Sequence, residues 1–259
     1  MKIGICTSVE HAQRVKAAGY DFVEEQVQRV LAPAVPDPGW TVPAALAESV
    51  LPVPAVNVLL PGTLRVTGPE VRPDDQRAYL ERVFARAAGV GIGIVVFGSG
   101  GARKVPEGFS MTEARSQVVG FCRLAAELAS PHDVTLVVEH LNRSETNILN
   151  RLSDCAAVVR EVAHPACRLL VDSYHLWLED ESLDAVQENL DLIRHVHVAD
   201  REGRTAPGES GQSNYRPLFR VLKRGGYDAR ISIEAKGFDD FEGVGPRVLS
   251  RLREDWAAA

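Results

Sequence analysis

The chain of 259 residues is 45% hydrophobic and 25% charged, an ordinary globular composition long enough for one large α/β domain or two small ones. Its net charge of −6 argues against a nucleic-acid partner, because phosphate binding runs on clustered lysine and arginine, and no run of about 18 apolar residues exists to span a membrane. Cys6, Cys122, Cys155 and Cys167 are widely spaced and form no Cys-x-x-Cys pair. Reduced thiols in a cytoplasmic protein are therefore expected, and residues 1–11 offer too short an apolar run for a secretory signal.

In chain order, short β-branched runs alternate with longer amphipathic stretches, the pattern of repeated βα units around a parallel sheet. Strands are predicted at residues 2–6, 20–24, 53–59, 93–98, 134–139, 168–172, 193–198 and 230–234. Between them, over 73–89, Tyr79, Leu80, Val83, Phe84 and Ala87 recur at three- and four-residue intervals as one apolar helical face; 111–130, 151–163 and 213–225 read similarly. Gly19, Gly89 and Gly225 are read as glycines that follow helices, Ser153 and Ser182 as N-caps. Eight such units in about 250 residues is the usual size of a closed (β/α)8 TIM barrel, whereas an open doubly wound sheet commonly uses fewer strands. Stretches 31–39, 98–108 and 199–212 then read as loops over the barrel mouth, and one domain is expected over residues 1–259.

Functional groups of such a barrel sit at the carboxyl ends of its strands. Four consecutive predicted strands end on an ionisable residue: Glu139, Asp172, His197 (with Val198 after it) and Glu234. Strand alternation puts each on the same face as the residue two before it, pointing into the barrel if the intervening residues face the helices. Three carboxylates and one imidazole meeting at one height repel one another unless a cation neutralises them, and hard oxygen donors plus one nitrogen suit a divalent ion. Mn2+ is the foremost expectation, with Mg2+, Co2+ or Zn2+ as alternatives. Taken singly, each residue is as well explained by a cap, a salt bridge or a satisfied core histidine; burying several like charges together is not. His195, inward but one layer lower than His197, is expected to support the site or the core. The segment from Gly98 to Gly101, with Arg103 and Lys104, could cradle a phosphate through its backbone, although glycines required for tight turns explain it equally. Trp40 and Trp177 are candidates to line the mouth.

The stretch Glu139-His140-Leu141-Asn142-Arg143-Ser144-Glu145 resembles the Glu-x-Leu-Asn-Arg-x-Glu motif of ketose 3-epimerases, within the xylose isomerase-like barrel superfamily. Asp172-Ser173-Tyr174-His175 is similar to their Asp-x-x-His, His195-Val196-His197 to their His-x-His, and Ser232-Ile233-Glu234 to their final strand. The segment Val56-Asn57-Val58-Leu59-Leu60-Pro61 looks like a loop of related sugar isomerases and epimerases. The resemblance implies that Glu139, Asp172, His197 and Glu234 bind the metal and that Glu139 and Glu234 double as the acid/base pair. Glu145 and His175 would contact substrate hydroxyls, with Asn57 and Arg204 as further substrate-binding candidates. The family places an arginine six residues after its metal histidine; here that position is Gly203, flanked at a short distance by Arg201 and Arg204.

The chemistry expected is proton abstraction beside a carbonyl, an enediolate, and return of the proton, on a ketose or similar small hydroxy-carbonyl compound. A lyase acting on a keto-inositol or related sugar-like substrate is the alternative. An apurinic-site endonuclease would need more histidines and a basic face, and a metal serving structure alone is the non-catalytic reading. Barrels of this type are often dimers or tetramers, and apolar residues near Phe241 and Trp256 suit either such an interface or closure of the last helix.

Overall fold

The computed structural model describes residues 1–259 and is a closed eight-stranded parallel barrel in the order β1 to β8. The strands are β1 (Lys2–Cys6), β2 (Phe22–Gln26), β3 (Ala55–Asn57), β4 (Ile94–Phe97), β5 (Thr135–Glu139), β6 (Cys167–Asp172), β7 (Ile193–Val198) and β8 (Arg230–Ile233). The helices are α1 (Ala12–Ala17), α2 (Val27–Val30), α3 (Ala44–Ala47), α4 (Pro73–Gly89), α5 (Gly100–Arg103), α6 (Met111–Ala129), α7 (Leu152–Val162), α8 (Ser173–Leu178), α9 (Leu183–Gln187), α10 (Arg216–Arg224) and α11 (Gly245–Ala257). No helix is long and apolar enough to cross a membrane.

The predicted α4 spans the expected residues and buries Tyr79, Leu80, Val83, Phe84 and Ala87. Other boundaries shift for local reasons. β3 is three residues long rather than seven: Pro54, which has no N–H to donate, precedes it, and Val58 beyond it takes a left-handed φ of 50°. β2 starts two residues later and runs past Glu24 to Gln26, while β8 stops at Ile233, one residue short of Glu234. The Glu234 N–H still donates to the Val198 carbonyl at 3.0 Å, which holds it beside the end of β7. Gly89 is the last residue of α4, and Gly91 takes the left-handed conformation (φ 77°). Ser182 caps α9, accepting from the Asp184 N–H. Ser153 is not a cap: it lies inside α7, whose N-terminal N–H groups of Leu152 and Ser153 donate to the Glu181 carboxylate at 2.7 and 3.2 Å.

The apolar core lies mainly between barrel and helices, in one cluster of 67 buried side chains, against five inside the barrel: Ala55, Ile94, Val96, Val137 and Leu170. The barrel interior is therefore left largely to polar groups. Near the bottom, the Phe22 ring lies so close to Gly4 that a Cβ there would meet it at 2.4 Å, which is why glycine stands at that position. All four cysteines are free, three of them buried, and Cys6 lies partly exposed at the end of β1.

Candidate metal centre at the barrel mouth

Val137 and Leu170 belong to the interior cluster, so alternation carries Glu139 and Asp172 inward as expected. The four residues do not share one backbone level. Glu139 pairs with Leu170, whereas Asp172 pairs with His197 and His197 with Ser232; a register shift at Leu169/Leu170 contributes to the offset. Barrel shear staggers the strand ends, and the longer glutamate side chains close the gap. One ligand-type atom from each of Glu139, Asp172, His197 and Glu234 lies within 4.8 Å of all the others.

His197 is the hub. Its Nδ1 lies 3.2 Å from Glu139 Oε1 and 3.4 Å from Glu234 Oε2. Asp172 spends Oδ1 on the Tyr174 N–H at 2.7 Å, and its Oδ2 is buried with no hydrogen-bond partner. Burial pushes the Glu139 carboxyl up to about 7, with Glu234 and Asp172 adding to the effect and the hydrogen bond from His197 opposing it. Burial would raise Glu234 too, but the positive charges of His197 and Arg204 outweigh it and bring that carboxyl down to about 2. Burial raises Asp172 despite Arg204. Burial would lower His197, yet Glu24 and the other surrounding acids hold it well above its ordinary value. Three inward carboxylates, one of them with an orphan buried oxygen, around one imidazole nitrogen form a donor set that fits a hard divalent cation.

The expected substrate-contacting residues surround this cluster. Asn57 Nδ2 donates to Glu234 Oε1 at 3.3 Å, leaving its Oδ1 buried and unpartnered. His175 is fully buried; its Nδ1 accepts from the Asn142 N–H at 3.2 Å, and its unpartnered Nε2 lies 3.7 Å from Asp172 Oδ2. Burial brings His175 down to about 3, with Arg204 adding to the effect, and burial brings His140 to about 3 as well. Glu145 stands at the rim, accepting from Asn142 Nδ2 at 3.1 Å and from Arg204 Nη1 at 3.2 Å.

Of the two arginines near Gly203, Arg204 is the one whose side chain enters the pocket. Both residues take left-handed φ values, 71° and 53°, and the turn delivers the Arg204 guanidinium into the pocket, where it pairs with Glu234 and lies 3.7 Å from Asp172 Oδ2. The guanidinium also stacks 4.9 Å from the Tyr174 ring centre. Asp200 ties this loop down by accepting from the Gly208 and Ser210 N–H groups and the Tyr215 hydroxyl. Arg201 points away, to Asp180 at 2.9 Å.

Glu24 is a carboxylate beyond the three expected at the site. It is fully buried and accepts hydrogen bonds from His197 Nε2 at 2.9 Å, His195 Nε2 at 2.7 Å and the Ser232 hydroxyl at 2.6 Å. Burial would raise it, but the two imidazoles hold it well below its ordinary value. The signal was available, since the strand predicted at 20–24 ends on this residue. Two other expectations change. Arg103 is fully buried and donates to the Phe97 carbonyl, so it does not face the mouth, and Gly98 is glycine because a Cβ there would sit 2.2 Å from Glu139 Oε2. Trp40 packs under the buried Arg86 guanidinium at 4.8 Å, while Trp177 lies 5.1 Å from Tyr215 and borders a separate surface cavity with Arg201 and Glu202.

A cavity of about 360 Å³ opens from the cluster toward β1 to β3, lined among others by Cys6, Thr7, His11, Gln26, Asn57 and Glu234. Most of its lining residues are polar or charged, Glu10, Glu24, Glu25 and Arg29 among them. A closed parallel barrel with acids and an imidazole gathered at its carboxyl end defines a TIM barrel with a candidate divalent-cation centre. The chain belongs to the xylose isomerase-like TIM barrel family, whose model matches residues 12–254.

Among curated relatives, the chain is similar to the 3-dehydro-D-guloside 4-epimerase of Escherichia coli, 29% identical over 49% of this chain and 48% of the relative. It is also similar to the hydroxypyruvate isomerase of Escherichia coli (27% identical, 51% and 52% covered) and the ketose 3-epimerase of Arthrobacter globiformis (26% identical, 51% and 45% covered). The chain thus spans about half the length of these curated relatives. Among solved structures, the 3-keto-D-glucoside 4-epimerase of E. coli superposes with a TM-score of 0.80 at 23% identity, covering 98% of this chain and 99% of that one. The D-allulose 3-epimerase of Methylomonas sp. in complex with D-allulose gives 0.81 at 20% identity, with 98% and 97% covered. At these identities the likeness is one of fold.

Proposed function

We propose that this protein is a divalent-metal-dependent epimerase or isomerase of a ketose or a similar small hydroxy-carbonyl compound, with Glu139 and Glu234 as its acid/base pair. The observation that carries the reading is the approach of these two glutamates, from β5 and β8, to one nitrogen of His197 at 3.2 and 3.4 Å. Two carboxylates thus border one small site from different strands, and their environments push their proton affinities apart, toward about 7 and about 2. Relatives named as epimerases and isomerases of sugars and hydroxypyruvate support the same chemistry.

In this reading Glu139, Asp172, His197 and Glu234 hold the cation, Mn2+ foremost, which supplies positive charge for the substrate oxygen that becomes anionic. One glutamate takes the proton from the carbon beside the carbonyl, and the C–H electron pair moves into the new C=C bond of an enediolate. The other glutamate returns a proton to the opposite face for epimerisation; return to the neighbouring carbon gives isomerisation. Arg204, Asn57, His175 and Glu145 orient the hydroxyls around the reacting carbons.

The test is incubation with Mn2+ in D2O of free ketoses, hydroxypyruvate and inosose, followed by NMR and mass spectrometry. Deuterium entering a carbon next to the carbonyl is the expected result. No exchange with any of them, or a product lighter by one water, would overturn the proposal.

A further inference from the structure

The side of His197 that faces away from the cluster carries a second inference, which rests on the metal-centre reading above. An imidazole can coordinate through one nitrogen only if that nitrogen carries no proton, and the partner of the other nitrogen decides where the proton stays. Here the nitrogen facing Glu139 and Glu234 is Nδ1, and the one facing away, Nε2, lies 2.9 Å from Glu24 Oε1.

Glu24 is well arranged to receive a proton-bearing nitrogen. It is wholly buried, and its remaining oxygen accepts from His195 Nε2 at 2.7 Å and from the Ser232 hydroxyl at 2.6 Å. Three donors converging from β7 and β8 on one carboxylate in a dry interior orient it and keep it an acceptor. We propose that Glu24 is a positioning residue: it holds His197 with its proton on Nε2 and turns a bare Nδ1 toward the cation site that residues of β5 to β7 and Glu234 form. Glu24 is not one of the four residues proposed to hold the cation and acts on it through His197. It links β2, on the neutral side of the mouth, to the charged side through His197 and His195.

The geometry makes two requirements that a purely structural buried acid would not. In the Zn2+-loaded wild-type protein, long-range proton–nitrogen NMR should find His197 protonated at Nε2 and metal-bound at Nδ1. In Glu24→Gln, the amide presents an N–H as well as a carbonyl, so one of the two imidazoles must change tautomer or lose its partner. Mn2+ affinity measured by titration calorimetry is expected to fall about 10- to 100-fold, and the visible spectrum of the Co2+ form to change, in a protein whose circular dichroism matches wild type.

His197 coordinating through Nε2 in the wild type, or a folded Glu24→Gln in which NMR shows His197 to have changed tautomer or lost its partner and which still binds Mn2+ as tightly as wild type, overturns the inference. The NMR arm uses the unaltered protein and decides the matter even if Glu24→Gln does not fold. A wild-type protein that takes up no Mn2+, Co2+ or Zn2+ refutes the metal-centre reading and this inference with it, an outcome distinct from a wild type that binds the ion through the wrong nitrogen.

Discussion

The two halves of the barrel mouth are built on opposite electrostatic plans. From β5 to β8 the inward groups at the strand ends are Glu139, Asp172, His197 and Glu234, all ionisable, with Arg204 folded over them. From β1 to β4 the corresponding places hold Cys6, Gln26, Asn57 and Gly98, none of them charged at neutral pH, and the open cavity lies on the β1 to β3 side. Charges gathered in one half can share a cation. Charges spread around the whole rim could not, and each would bear its own desolvation cost. The neutral half leaves room and hydrogen-bonding groups for the part of a substrate that does not react. Charged side chains also border the cavity on this side, but Glu25 is held by the Val9 and Gln26 N–H groups and Glu24 by the imidazoles of the charged half, leaving Glu10 and Arg29 at its edge.

The sharpest way to break this contrast is to neutralise the charged half one oxygen at a time. Under the proposed function, Glu139→Gln and Glu234→Gln each lower turnover about 10²- to 10⁴-fold. Measured kcat near wild type in either variant would remove that residue from the acid/base pair.

A second, smaller effect is pH dependence of cation binding, which should belong to the charged half alone. In the metal-free protein the Glu139 carboxyl is pushed up to about 7, so it gains a proton as the pH falls through that value, and the cation needs it ionised. His197, held above its ordinary value, must release a proton as well, which acts in the same direction. Mn2+ affinity should therefore fall by about tenfold or more per unit below about pH 7. Calorimetry at pH 6, 7 and 8 in buffers of different ionisation enthalpy checks this, and a flat profile would contradict it.

The smallest effect is expected on the neutral side. Gln26→Ala removes a polar, exposed wall of the cavity, so KM should rise by up to about tenfold while kcat holds, as for loss of an ordinary hydrogen bond. A loss in kcat comparable to that of the glutamate variants would mean that the two halves are not divided as described.

The charged half was largely legible in the chain because strand alternation has period two and the barrel puts inward strand ends at the mouth, so Glu139, Asp172 and His197 could be read one strand at a time. The stretch from Glu139 to Glu145 carried the motif besides. The neutral half offered less. The predicted β3 was too long, because hydrophobic character continues through Val58 and Leu59 after the backbone has already turned out of the strand at Val58. Glu24 ends the expected strand, but β2 runs on through Glu25 to Gln26, so Gln26 takes the inward place at the mouth and Glu24 lies a layer below it.

The eight βα units, the acids that end β5 and β6 and follow β8, and the histidine between them are written in the chain, since those follow from short-range periodicity and composition. Which groups share a proton or a charge depends on how the closed barrel brings distant residues together. Closure of the barrel carries Glu24 across to His195 and His197, 171 and 173 residues away along the chain. Two left-handed residues, Gly203 and Arg204, turn the guanidinium inward to Glu234, where residue spacing alone pointed to a glycine. Both are long-range consequences of chain closure and backbone conformation, which local pattern does not encode.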